Sequence, residues 1–280
     1  MNQIKIIFFD IDGTLVDMQT KQISTKTIEA LQRLKAKGIK LCIATGRSPV
    51  SLPKFVGVDF DAYLTFNGSY CYDQSGTIFS NPIYADDVQQ IIRNAAAIGR
   101  PVSVATKNRL AANGTDEDLA EYYSFAHLKL TMAEDFESVS REEIYQVMLG
   151  CREADYPSIL NGVSGAKITA WWDRAVDIIP ASSGKGMGIR KILEYYHLER
   201  SEAMAFGDGN NDIEMLEVVG IGVAMENASL QLKAIASDIC GHVAQDGIYH
   251  YVHIGFSQQQ PKQQQRVPAL QRAGRLSVCG

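Results

Sequence analysis

The sequence predicts an α/β protein, a doubly wound parallel sheet with a smaller α+β unit inserted in its middle. Three observations carry that expectation. Residues Ile4 to Phe9 form a nearly unbroken apolar run, the mark of a strand buried on both faces. A helical pattern and a second buried run, Ile39 to Ala44, follow, and the alternation of strand and helix returns late in the chain. Between these two stretches the texture changes to alternating runs around a hairpin signal.

Taken in order, Ser24 is placed to cap a helix in which Ile28, Leu31 and Leu34 recur at helical spacing, with Gly38 as its stop. Ala62 to Phe66 reads as a strand. Ser69 to Tyr72 and Thr77 to Phe79 flank Asp73-Gln74-Ser75-Gly76, a hairpin. Beyond Pro82 the pattern predicts a helix over Ala85 to Ile98, a strand near Val102, a polar helix near Asp116 to Phe125 and a further helix from Arg141. The strands Lys167 to Trp171 and Ala175 to Ile179 then lead back. Gly184 to Tyr196 reads as a helix, Ala203 to Phe206 as a strand and Asn211 to Val218 as a helix. Ile221 to Ala224, a helix at Ser229 to Ala236 and a short strand near Ile239 complete the pattern. Residues 1–82 and 181–256 are therefore assigned to one core and 83–180 to the inserted unit. The Gln-rich stretch 257–280 is too poor in apolar residues to build a core and is expected to be disordered.

Composition narrows the function. The chain of 280 residues is 46% apolar and 21% charged, ordinary for a globular protein. A net charge of -5 gives no global positive field to recruit nucleic acid or a membrane surface. No apolar stretch approaches the ~20 residues of a membrane span. The amino-terminal run is too short, and too interrupted by charge, for a signal-peptide core. Five scattered cysteines (Cys42, Cys71, Cys151, Cys240, Cys279) without a C-x-x-C pair suit a reducing compartment. A cytoplasmic protein is expected, and nothing in the sequence opposes a homodimer.

The chemistry concentrates at strand ends, where open α/β sheets bind ligands. Asp10-Ile11-Asp12-Gly13-Thr14 follows the first strand directly. Asp and Gly are turn formers, but two carboxylates one residue apart at a buried strand end ask for a cation. Gly207-Asp208-Gly209-Asn210-Asn211-Asp212 ends a later strand and opens a helix, with Asp208 and Asp212 spaced to face one centre. If the two clusters meet, carboxylates ~4 Å apart repel by about 4 kcal/mol at an effective dielectric of about 20. All-oxygen donors then favour a hard ion such as Mg²⁺. Thr45-Gly46-Arg47 after the second strand offers a hydroxyl and backbone N–H groups to phosphoryl oxygens. Ser182-Ser183-Gly184-Lys185-Gly186 can deliver an ammonium beside a helix N-terminus. Taken singly, each of these two segments also reads as an ordinary turn or a solvated charge.

In this order the four segments resemble the motifs of the haloacid dehalogenase superfamily: Asp10-Ile-Asp-Gly-Thr, Thr45-Gly-Arg, Lys185 and Gly207-Asp-Gly-Asn-Asn-Asp212. The insertion resembles the C2 cap of its Cof-type, or IIB, sugar-phosphate phosphatases, and Asn67-Gly68 matches a segment near that subfamily's active-site mouth. The resemblance runs from about residue 4 to 256 and leaves the tail outside. It implies a Rossmann-like core and an Mg²⁺-dependent phosphatase acting on small phosphorylated metabolites. Asp10 would be the nucleophile, forming an aspartyl-phosphate. Asp12 would act as acid and then base. Asp10, Asp208, Asp212 and the backbone carbonyl of Asp12 would serve the metal. Thr45, Gly46, Arg47, Lys185 and Asn211 would serve the phosphoryl group. A phosphomutase or a phospho-ligand sensor without turnover are the competing readings. For the leaving group, Trp171, Trp172, Asp173, Lys107 and Arg109 are the sequence's candidates, though each reads first as a packing aromatic or a solvated charge.

Overall fold

The computed structural model describes residues 3–125, 128–170 and 172–257. In chain order, the first elements are β1 (Ile6–Phe9), α1 (Thr25–Ala36), β2 (Lys40–Ala44), β3 (Ala62–Thr65), β4 (Tyr70–Asp73) and β5 (Gly76–Ser80). Next come α2 (Ala85–Ala97), β6 (Val102–Ala105), β7 (Leu110–Ala112), α3 (Glu117–Phe125), α4 (Phe136–Val139), β8 (Gln146–Gly150) and α5 (Tyr156–Ile159). Then follow β9 (Ala166–Thr169), β10 (Ala175–Pro180), α6 (Lys185–Tyr195), β11 (Ala203–Gly207), α7 (Ile213–Val218), β12 (Ile221–Ala224), α8 (Leu230–Ile235), β13 (Asp238–Ile239) and α9 (Gly247–Ser257).

Two sheets organise these elements. The larger runs β13-β12-β11-β1-β2-β3-β4-β5, parallel from β13 to β3 and antiparallel across β4 and β5. The smaller runs β7-β6-β8-β10-β9 and is antiparallel throughout. The expected α/β class and Rossmann-like parallel core are what the chain adopts. β1 lies at the centre because all four of its residues are apolar and need neighbours on both faces; all four are buried. Ser24 caps α1 as expected, its hydroxyl accepting from the Thr27 amide at 3.0 Å.

One expectation fails. The helix from Arg141 is absent; instead Gln146–Gly150 is a fully buried strand between β6 and β10. The run Ile144-Tyr145-Gln146-Val147 is rich in β-branched and aromatic side chains, and its place inside a sheet outweighs the helix-compatible acids before it. The helix α9 had no counterpart in the sequence reading, and it packs against α1. Cys42, Cys71, Cys151 and Cys240 are buried thiols, whereas Cys279, Trp171 and the tail 258–280 lie outside the described residues. Among those described, no helix is long and apolar enough to cross a membrane.

The sheets meet through aromatic contact. Phe66, just past β3, stacks on Tyr145, just before β8, with ring centroids 5.4 Å apart. The smaller sheet is thereby held over the end of β3 and beside the loops that follow β1 and β2.

Candidate active site

Parallel register decides which residues meet. Phe9 pairs with Phe206, their rings stacked at 5.3 Å, and the Asp10 amide donates to the Phe206 carbonyl at 3.0 Å. The loops after β1 and β11 therefore leave the sheet side by side, bringing Asp10 and Asp208 together from distant parts of the chain. Gly13, with φ of 88°, lies against the Asp208 carboxylate, where a Cβ would collide with it. The Thr14 hydroxyl donates to Asp208 Oδ1 at 2.9 Å, and Asn227 holds the Gly13 carbonyl at 2.7 Å.

Lys185 stands at the first position of α6, its side chain wholly buried. Its Nζ lies 2.6 Å from Asp10 Oδ1 and 2.6 Å from Asp212 Oδ1. The other oxygen of Asp212 accepts the amides of Asp208 and Gly209, at 2.9 and 3.0 Å. The start of α6 is fixed by close packing of backbone: Gly68, with φ of 91°, sits against the Gly184 carbonyl with no room for a Cβ. Asn67 precedes it in the left-handed region and is also buried; a Cβ on Gly46 would lie 3.0 Å from its amide. The Asn211 amide donates to Asn67 Oδ1 at 3.3 Å, tying the two loops together.

Charge is out of balance here. Asp10, Asp208 and Asp212 each offer an oxygen within 4.8 Å of the others, against the single ammonium of Lys185. Burial raises the Asp10 carboxyl well above the usual range; Lys185 offsets this in part, while Asp212, Asp208 and Asp12 push it further up. Burial, reinforced by Asp212, pushes Asp208 up to about 7. Burial alone would lower the Lys185 ammonium, but Asp10 and Asp212 outweigh it and raise it. Buried oxygens in excess, with no nitrogen or sulfur ligand, are a donor set that fits Mg²⁺.

Most of the residues expected from sequence converge here. Asp10, Asp12, Thr45, Gly46, Arg47, Asp208 and Asn211 line one cavity of about 320 Å³. Lys185 and Asp212 lie directly behind Asp10. Two details go beyond the expectation. The Asp12 carboxylate stands outside the acidic triad, gripped by Arg47 through Nε to Oδ2 and Nη2 to Oδ1, both at 2.7 Å. Arg47 is thus an ion-pair partner as well as a cavity residue, its third contact being the Ser51 carbonyl at 3.1 Å. The described leaving-group candidates follow their plainer reading as packing aromatics or surface charges. Trp172, Asp173, Lys107 and Arg109 do not line the cavity; Trp172 packs edge-on against Phe125 at 5.1 Å and Arg109 forks Asp135 at 2.8 Å. The cavity's far wall comes instead from α3, β7, β8 and Leu128, residues with no motif to announce them. Thr14 and Asn67 stand within the quoted motifs, yet nothing in the sequence told that they would steady Asp208 and Asn211.

Comparison with known proteins agrees with this arrangement. The family model for haloacid dehalogenase-like hydrolases matches residues 7–252. The chain is 30% identical to the Bacillus subtilis protein YkrA over 250 residues, covering 89% of this chain and 96% of that one. It is 29% identical to the Bacillus subtilis 5-amino-6-(5-phospho-D-ribitylamino)uracil phosphatase YitU over 266 residues, 90% and 97% of the two chains. The solved structure of the subclass IIB sugar phosphatase BT4131 superposes with a TM-score of 0.80 at 31% identity, covering 90% of this chain and 99% of that one.

Proposed function

The chain belongs to the haloacid dehalogenase-like hydrolases and is a phosphatase among them, and from that premise we propose a double-displacement hydrolysis of small phosphorylated metabolites on Asp10. The supporting observation is the buried bridge from Lys185 to Asp10 and Asp212, with Asp208 within reach and the cavity in front. It fixes one carboxylate oxygen of Asp10, leaving the other as the attacking atom. Asp10, Asp208 and Asp212, with the backbone carbonyl of Asp12, would hold Mg²⁺. When bound, the ion neutralises phosphoryl oxygens and keeps Asp10 ionised.

The first step forms the Asp10–phosphorus bond as the bond to the leaving oxygen breaks. Asp12 supplies the proton that the leaving oxygen needs, and in the second step it takes one from the attacking water. Arg47 forks both oxygens of the Asp12 carboxylate, so delivery of the proton to the leaving oxygen requires Asp12 to turn from that fork. Thr45, the Gly46 backbone, Arg47 and Asn211 receive the phosphoryl oxygens, while Lys185 offsets charge on Asp10 from behind. Residues 83–180, which supply the whole smaller sheet, act as the cap that closes over the leaving group.

Asp10→Asn tests this. Hydrolysis of p-nitrophenyl phosphate with Mg²⁺ is expected to vanish while the far-UV spectrum stays native; unchanged turnover removes the nucleophile assignment.

A further inference from the structure

We infer that the leaving group this cavity accepts is a planar aromatic ring with apolar faces, not a polyhydroxylated sugar. The inference rests on the phosphatase reading and concerns the opposite end of the same cavity. There the wall is built by Leu110 of β7, Tyr122 and Phe125 of α3, Leu128, and Gln146 and Met148 of β8. Among the described residues lining that side, none carries a charge.

Its polar tips are already committed to the cap's interior. The Tyr122 hydroxyl donates to the Asp177 carboxylate, and the Gln146 side chain hydrogen-bonds to the same carboxylate. Asp177 and Gln146 are both buried. The neighbouring Tyr123 hydroxyl is paired with Ser103, also buried. Beyond those engaged tips, what this wall offers the substrate is ring surface, thioether and aliphatic carbon. A sugar brings a rim of hydroxyls, and each one left without a partner on entering such a site costs roughly fivefold or more in affinity. An aromatic ring asks for stacking and edge contacts, which this wall supplies. A cavity of about 320 Å³ stands at the small end of ligand pockets, room for a compact ring with its phosphate.

The test compares kcat/KM of the full chain with Mg²⁺ on pyridoxal 5′-phosphate and on glucose 6-phosphate. The ring ester is expected to be preferred by about tenfold or more, the discrimination available when a site cannot pair a competitor's hydroxyls. Parity or a preference for the hexose ester overturns the inference and leaves the phosphatase reading standing, as does hydrolysis of p-nitrophenyl phosphate with neither metabolite turned over. Failure to hydrolyse any of the three overturns that reading and the inference with it. Phe125→Ala and Leu110→Asn are expected to narrow the preference by about threefold or more, mainly through KM, as stacking and apolar contact are lost. A preference unmoved in both variants, each checked for a native melting transition, would show that this wall does not read the leaving group.

Discussion

Lys185 and Asp177 are two buried ionisable residues that reach opposite outcomes. Lys185 keeps its charge because two carboxylates sit 2.6 Å away, so pairing exceeds the loss of hydration. Asp177, in the smaller sheet, has only uncharged partners, Tyr122 and Gln146, and burial pushes its carboxyl up to about 6. The consequence for stability has a definite sign. As pH rises, the unfolded chain releases this proton near the ordinary carboxylate value while the folded chain retains it, so folding weakens until pH passes about 6. From about pH 4.5 to about pH 7, the loss from this one group is about 2 kcal/mol. Asp177→Asn should therefore gain about 2 kcal/mol relative to wild type across that interval, measured as urea-unfolding free energies at both ends. A constant difference between the two proteins would show that Asp177 ionises normally when folded. At this scale the sequence was legible for Asp10, Asp208 and Asp212, whose spacing has few uses other than a charged ligand. It was not legible for Arg47, because a guanidinium after a strand serves a phosphate or a neighbouring carboxylate equally well, and only the fold brings Asp12 within 2.7 Å.

Among the elements, α6 carries the heaviest positional demand, since its first residue must reach Asp10 and Asp212 at once. Backbone-to-backbone packing of Gly68 against Gly184 sets that position, and Gly188 lies against Leu64 and Gly68 one turn on. Two alanine substitutions separate backbone conformation from packing. Gly76, the first residue of β5 after the hairpin turn, has φ of 133° but open space around it, whereas Gly68 has φ of 91° and a carbonyl in the way. Gly76→Ala should cost about 1–2 kcal/mol, the price of the backbone conformation alone. Gly68→Ala should exceed that by at least about 1 kcal/mol, in the range of overpacked cores, and also depress turnover by shifting Lys185. Equal destabilisation with full activity in both would mean that the α6 contact yields freely. Element type was legible wherever periodicity and caps agreed, as at α1 with Ser24. It was misread at β8, because a fully buried strand has no alternation to distinguish it from a helix segment.

Across the whole molecule, strand order converts distant motifs into one site. With β1 between β11 and β2, and β3 next, the loops carrying Asp208, Asp10, Thr45 and Asn67 leave one edge of the sheet in spatial sequence. The unfolded chain has no such cluster, so an ion held by Asp10, Asp208 and Asp212 must favour folding. At a concentration of about a hundred times its dissociation constant, the gain is about 2.7 kcal/mol. For a chain of this size that corresponds to a melting-temperature rise of about 5 °C or somewhat more. Mg²⁺ must also displace the proton that Asp208 retains to about 7, so the rise should be larger at about pH 8 than at about pH 6. Chelation should return the melting temperature to its starting value, and Asp208→Asn should be insensitive to the ion. Because Arg47 already neutralises Asp12 and Lys185 lies between Asp10 and Asp212, Asp208 has the least compensated charge, with the Thr14 hydroxyl as its one side-chain donor among the described residues. An equal Mg²⁺ shift in that variant and in wild type would place the ion elsewhere and remove the acidic triad from the chemistry.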